Sequence, residues 1–136
     1  MFSPAAQEEV WSDDPDALIA GSTPTSDARV EPVVDGFLLN GTWAFASGVD
    51  FCSWNHFNMM TPRTDRKGQE HRYGLAPLSD VEIVDDWYTT GLRGTGSKSM
   101  ICRDLHIPEY RTLRSETCRG EKTPGSAINP NPIYRM

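Results

Sequence analysis

Between Ala17 and Leu105 the apolar residues come in runs no longer than a strand needs, bounded mostly by glycine, proline, asparagine, aspartate or serine. The runs are Ala17–Ala20, Gly36–Leu39, Trp43–Ala46, Phe51–Met60, Tyr73–Leu75, Val81–Val84 and Met100–Leu105. A helical bundle needs stretches of ten or more residues with 3.6-residue periodicity, which this pattern does not supply. Short strands joined by turns are what it does supply, and strands at this spacing predict a β-sandwich or barrel. The 11 glycines and 10 prolines in 136 residues point the same way, because both residues serve turns better than element interiors. A chain of this length has room for one core, burying roughly two-thirds of the surface its unfolded form exposes.

Within that frame, Asn40-Gly41 sits between Phe37-Leu38-Leu39 and Thr42-Trp43-Ala44-Phe45. Both residues tolerate positive φ, so the dipeptide predicts a two-residue hairpin. Thr61 to Glu70 is almost wholly polar and reads as a solvent loop between strands. The chain opens on a short helical turn, Ala5 to Trp11, followed by the acidic stop Ser12-Asp13-Asp14-Pro15-Asp16. A helix that short is marginal in water without tertiary packing. After Pro108 the strand pattern dissolves, and Gly120, Pro124, Gly125, Pro130 and Pro132 give residues 109–136 the texture of a linker. The expected division is a helical stub over 1–16, a β-domain over 17–108 and a linker over 109–136.

Charge and cysteine content narrow the function. A formal charge of −6 with no Lys/Arg cluster disfavours nucleic acid as a partner, since binding phosphates at physiological salt takes a concentrated basic face. No run reaches the ~18 apolar residues of a membrane span, and the N-terminus lacks a signal-like leader, so a cytoplasmic location is expected. Cys52, Cys102 and Cys118 are odd in number and widely spaced, which indicates neither a disulfide framework nor a zinc site. The Asn40-Gly41-Thr42 sequon is discounted with the export signal missing.

Candidate chemistry is sparse. Read as a regular strand, Thr42 to Gly48 places Trp43, Phe45 and Ser47 on one face, two rings and a hydroxyl in a row. That platform suits a planar heteroaromatic ligand; equally, both rings face the core and Ser47 begins the turn at Gly48. Gly91 to Ser99 superficially resembles a phosphate loop, but Ser97 separates the last glycine from Lys98 and Ser99-Met100-Ile101-Cys102 continues as a strand, so a tight strand-to-strand turn is expected. His56, His71 and His106 have no metal-ligand spacing and read as structural or exposed; Asp85-Asp86 reads as solvated. No nucleophile and base can be paired, which disfavours a stand-alone hydrolase or transferase.

The segments Gly41-Thr42-Trp43-Ala44-Phe45-Ala46-Ser47-Gly48, Ser53-Trp54, Val81 to Trp87, Gly91 to Lys98 and Ile107-Pro108-Glu109-Tyr110-Arg111-Thr112 occur in this order. Together they resemble the oxygenase components of two-component flavin-dependent aromatic hydroxylases, which share the acyl-CoA dehydrogenase fold. The likeness runs from Phe2 to Met136 but to the middle third of those enzymes, the β-domain between two helical ones. It implies an all-β domain of the acyl-CoA dehydrogenase middle type, an antiparallel barrel or sandwich, with irregular extensions at both ends.

By this resemblance Ser47 holds flavin N5 through its hydroxyl, which prolongs the life of the oxidant by retaining the N5 proton. Phe45 lies beside the isoalloxazine ring, and Trp43 is placed with the cofactor-binding residues or, with Trp54, in the packing around them. Ser22 matches a serine that faces the substrate phenol. Implied as well are reduced FMN or FAD, bound weakly or not at all by this chain alone, a separate flavin reductase, an aromatic substrate and a homo-oligomeric full-length enzyme. The sequence departs from the pattern in the polar stretch Asn55 to Met60 and in the glycine-free turn Pro24 to Arg29. Most of the phosphate contacts, the substrate lid and the base that ionises the phenol belong to the helical domains, so complete catalysis by these residues alone is not expected. Two further readings stay open: an acyl-CoA dehydrogenase relative serving desaturation of a thioester, and a non-catalytic remnant or interaction module whose uncovered apolar faces promote self-association.

Overall fold

The computed structural model describes residues 2–63 and 67–118, together with Asn131. Helix α1, Pro4–Trp11, is capped by Ser3, whose hydroxyl accepts from Ala6 N at 3.2 Å, and Pro4 occupies its first turn. Its eight residues are held by tertiary contacts. Ala6 and Val10 pack with Ala17 and Leu75 against Phe2, Ile19 and Trp54, while Glu9 takes two hydrogen bonds from Arg111 and one from Tyr110.

Eight strands follow: β1 (Ile19–Pro24), β2 (Arg29–Val33), β3 (Gly36–Ala46), β4 (Trp54–Pro62), β5 (Gln69–Pro77), β6 (Glu82–Val84), β7 (Lys98–Pro108) and β8 (Thr112–Arg114). They form one sheet in the order β6-β7-β3-β1-β4-β5-β8, with β2 added on β3. β1 turns the sheet: Ile19–Ser22 run parallel to Trp54–Phe57, and Thr23 and Pro24 then pair antiparallel with Ala44 and Trp43. The two halves curl toward each other over a shared core of Leu39, Trp43, Phe57, Met59, Met100 and Ile107. They approach closely at Gly74, where a Cβ would lie 2.8 Å from Met59 Cε and 3.0 Å from Ile107 Cδ1. The β-rich class is as expected. The sheet is mixed and open, however, because β1 and β4 are parallel and the path ends at β6 and β8 without closing.

The expected hairpin at Asn40-Gly41 does not form; the dipeptide lies inside the continuous β3. Its physical role is a bulge. Asn40 Nδ2 donates to Asp104 Oδ1 at 3.1 Å and Asn40 Oδ1 accepts from Asp104 N at 2.8 Å, so its amide is spent across the ladder to β7. The register shifts there between Leu39 and Gly41, and Asp104 takes φ 50°. Gly41, at φ 107°, lets the preceding loop close in, since a Cβ there would stand 2.6 Å from Asp27 O. The true reversal is Val34-Asp35, with Val33 opposite Gly36 and Asp35 at φ 62°.

β structure also continues past Pro108. Glu109–Arg111 form a 3-10 turn, β8 pairs with Arg72–Gly74 of β5, and Ser115–Cys118 form another turn. This corner is clamped by Arg72, buried with Glu70 at 2.7 Å and paired with Glu109 at 2.5 Å. The expected linker beyond Cys118 lies outside the described residues, apart from Asn131. Among the described residues no helix is long and apolar enough to cross a membrane.

Candidate functional site

The site begins with a second bulge in β3. Trp43 is paired with Met100 and Ala46 with Lys98, so Ala44 and Phe45 together oppose Ser99. Phe45 absorbs the extra residue at φ 61°, a left-handed conformation that a bulky L-residue rarely adopts and that is characteristic of functional positions. Period-two alternation is broken. Trp43 and Ala46 are both 0% exposed, while Phe45 between them is 62% exposed. The expected single face carrying Trp43, Phe45 and Ser47 is therefore not what this segment builds. Trp43 is a core ring, edge-on to Phe57 at 5.7 Å, with its Nε1 donating to Asn58 O at 2.9 Å.

Phe45 projects into a shallow groove instead. Trp87 meets it edge to face at 6.3 Å and 86°, and a cleft of about 250 Å³ is lined by these two rings with Ala44, Asp86, Ser97 and Ser99 among others. The wall opposite β3 is the connection from Asp85 to Ser97, far longer than the tight turn expected. It passes through a 3-10 turn at Arg93–Thr95 and leads into strand, not helix. Leu92, at φ 55°, places its carbonyl to accept from Trp87 Nε1 at 3.1 Å and from Thr95 Oγ1 at 2.9 Å. The same loop grips the end of the bulge: Gly48 N donates to Thr95 O at 2.7 Å, and Gly48 itself sits at φ 74°.

Ser47 is exposed and does not line the cleft directly. Its Oγ lies 2.8 Å from Ser97 Oγ, which does line it, and Ser97 Oγ lies 2.7 Å from Thr95 Oγ1. Asp86, expected to be merely solvated, accepts from Ser99 N at 2.9 Å. That hydrogen bonding from Ser99 holds its carboxyl below the usual range. Lys98 is engaged by Asp50 at 2.8 Å and Asp85 at 3.6 Å and is not part of the lining.

Ser22 is placed elsewhere. It is 1% exposed, its Oγ accepts from Asn55 Nδ2 at 2.8 Å, and its carbonyl accepts from Asn58 Nδ2 at 2.5 Å. Asn55 Oδ1 is buried without a hydrogen-bond partner. A second cleft of about 290 Å³ opens beside this group between Thr23, Pro24, Asn58, Met60 and His71, and Ser22 lines neither cleft. Two histidines are packed and His106 is exposed: His56 abuts Gly21 and Tyr73, and burial lowers its pKa, while His71 Nε2 is 3.0 Å from Asn58 Oδ1. Burial also pushes the Cys102 thiol up to about 12. Among the described residues no group of three His, Cys, Asp or Glu could hold a metal.

The curled, open β-sheet is matched by solved flavin enzymes of the acyl-CoA dehydrogenase fold. Over its length the chain is similar in sequence to part of the oxygenase components of flavin-dependent monooxygenases. It is 38% identical over 137 residues to the flavin-dependent monooxygenase oxygenase subunit HsaA of Mycobacterium tuberculosis, covering 100% of this chain and 34% of the relative. It is 36% identical over 134 residues to the p-hydroxyphenylacetate 3-hydroxylase oxygenase component of Acinetobacter baumannii, covering 96% of this chain and 31% of the relative. The HsaA crystal structure superposes with a TM-score of 0.85 at 36% identity, over 99% of this chain and 35% of that one. XiaF from Streptomyces, solved with FADH2 and glycerol, gives 0.78 at 28% identity, over 98% and 33%. The chain thus spans about a third of the length of the relatives it matches. No protein-family model matches it.

Proposed function

We propose that the Phe45–Trp87 groove receives the edge of a reduced flavin, and that the chain serves flavin-dependent hydroxylation of a phenolic substrate. The observation that carries this reading is the bulge, which spends backbone strain to turn Phe45 out beside Trp87 and the Ser47–Ser97–Thr95 hydroxyls. The residues present fit a flavin ring: one aromatic ring to lie against its face, the other, 86° to the first, to meet its edge, and an exposed hydroxyl that can meet a ring nitrogen. They do not fit its phosphate, because the lining contains no cation; that contact belongs to other parts of a longer assembly. A reduced flavin bound there supplies two electrons to dioxygen, so that one oxygen atom enters a substrate ring and the other leaves as water.

The chain's own residues orient and shield. Phe45 presses on the ring system, Trp87 excludes water from one side, and Ser47 holds the proton of the facing N5. Trp43 supports Phe45 from within the core and makes no cofactor contact through its own buried ring. Ser22, assigned to the substrate side by resemblance, is buried with its hydroxyl accepting from Asn55 Nδ2, and bears on that side through this bond. The same reading brings a flavin reductase, an aromatic substrate and a helical-domain-bearing, oligomeric enzyme as partners, with FMN and FAD both accommodated. The relatives' activities as monooxygenase and hydroxylase components favour it over thioester desaturation.

Affinity in this chain is expected to be weak, because the groove is open on one side. Titration of the protein with FMN and with FAD to millimolar concentration, followed by tryptophan emission, tests it. Trp87→Phe and Phe45→Ala should each remove most of the saturable quench, while Trp11→Phe leaves it. Quenching that survives both groove variants would overturn the proposal.

A further inference from the structure

The Ser47, Ser97 and Thr95 hydroxyls form a chain with a direction, and its direction follows from its far end. Leu92 O, 2.9 Å from Thr95 Oγ1, can only accept. With the Thr95 hydrogen committed there, the 2.7 Å contact to Ser97 must be a bond that Ser97 donates. The Ser97 hydrogen is then spent, and the 2.8 Å contact must be one that Ser47 donates. The opposite polarity forfeits the bond to Leu92 O and satisfies one fewer hydroxyl hydrogen inside the protein. A net hydrogen bond is roughly a fivefold preference. Ser97, 6% exposed, donates once and accepts once in either polarity, so the two differ at the ends of the chain, Leu92 O and the exposed Ser47.

We propose that Ser97 and Thr95 are positioning residues that fix Ser47 as a hydrogen-bond acceptor toward whatever occupies the groove. This rests on the flavin reading above and deepens it. A reduced flavin carries hydrogen on N5 and donates; an oxidised flavin has only a lone pair there and accepts. An acceptor-locked Ser47 therefore pairs with the reduced ring and faces the oxidised ring lone pair to lone pair. The groove selects the redox state that a separate reductase delivers, because the Ser97 and Thr95 hydroxyls set the polarity of Ser47 at its rim. Leu92 O also accepts from Trp87 Nε1, so one carbonyl sets both the hydroxyl polarity and the tilt of the neighbouring ring.

Two measurements separate this inference from the reading beneath it. Neutron diffraction from deuterium-exchanged crystals of the flavin-free protein should show the deuteron between Ser47 and Ser97 bonded to Ser47 Oγ, and that between Ser97 and Thr95 bonded to Ser97 Oγ. Deuterons on the opposite partners overturn the inference and leave the flavin reading intact. In anaerobic NMR titrations with reduced and oxidised FMN, the wild-type chain should bind the reduced form several-fold more tightly. Thr95→Val removes the tether to Leu92 O and frees Ser97 to donate to Ser47, so it should lower that ratio by roughly fivefold; Thr95→Ser should restore it. Ser97→Ala should act like Thr95→Val. Equal ratios in wild type and Thr95→Val overturn the inference alone. No binding at the groove by either form overturns the flavin reading and the inference with it.

Discussion

The left-handed backbone at Phe45 makes a prediction that runs against the ordinary behaviour of a strand. In a regular strand, glycine is less stable than alanine by roughly 0.5–1 kcal/mol, because glycine has more backbone freedom to lose on folding. At φ 61°, every residue with a Cβ carries a cost of roughly 1–2 kcal/mol that glycine does not. The two effects oppose each other, and the second is larger. Phe45→Gly should accordingly be more stable than Phe45→Ala by roughly 0.5–1 kcal/mol, about 2–4 °C in melting temperature for a chain of this size. Both variants lose the same edge contact with Trp87, so their difference isolates the backbone. Urea unfolding followed by the fluorescence of the buried Trp43 measures it. An alanine variant equal to or more stable than the glycine one would mean that β3 runs straight through Phe45, and the groove would lose its origin.

The core side of the bulge predicts the opposite sensitivity: Trp43→Ala should cost roughly 3–5 kcal/mol, since the ring is 0% exposed, against at most about 1 kcal/mol for Phe45→Leu, read in the same denaturation assay. Gly41→Ala should destabilise by roughly 2–4 kcal/mol through positive φ and the 2.6 Å approach to Asp27 O, whereas Gly94→Ala, with open space around it, should be near neutral. Hydrogen bonding from Arg111 lowers the Glu9 pKa from 4.5, so its share of α1 docking is complete above that value and is lost as pH falls through the lowered one. The share is at most about 1 kcal/mol for so exposed a pair. Protection factors of the Val10 and Trp11 amides should fall below pH 4.5, and Glu9→Gln should abolish that step.

The β class was legible because apolar runs and turn residues alternate at strand spacing, and that signal survives without knowledge of pairing. Two strands escaped it. Arg29–Val33 is mostly exposed, with only Val30 half-buried, and contains Pro32; Thr112–Arg114 buries only Leu113. Asn40-Gly41 carried the right local chemistry for positive φ but the wrong inference, because the partner that uses Asn40 is Asp104, distant in sequence. The site failed on the same ground. A period-two reading of Thr42 to Gly48 cannot foresee a bulge fixed by the register against β7. Ser97, fifty positions from Ser47, has no local mark, and Trp87 was visible only as an aromatic after two acids. Phe45 and Ser47 were singled out by the strand pattern and again by resemblance in a short motif, and neither signal carries the geometry of the bulge beneath them.

A flavin edge seated in the Phe45–Trp87 groove is the proposal from which the roles of Phe45, Trp87 and Ser47 follow. Intermolecular NOEs between reduced FMN at millimolar concentration and the isotopically labelled chain test it directly. Contacts from the isoalloxazine protons to the Phe45 and Trp87 rings, with the largest amide shifts at Ser47, Ser97 and Ser99, are the predicted result. Contacts confined to the cleft at Thr23, Met60 and His71, or distributed over the surface without preference, would contradict it.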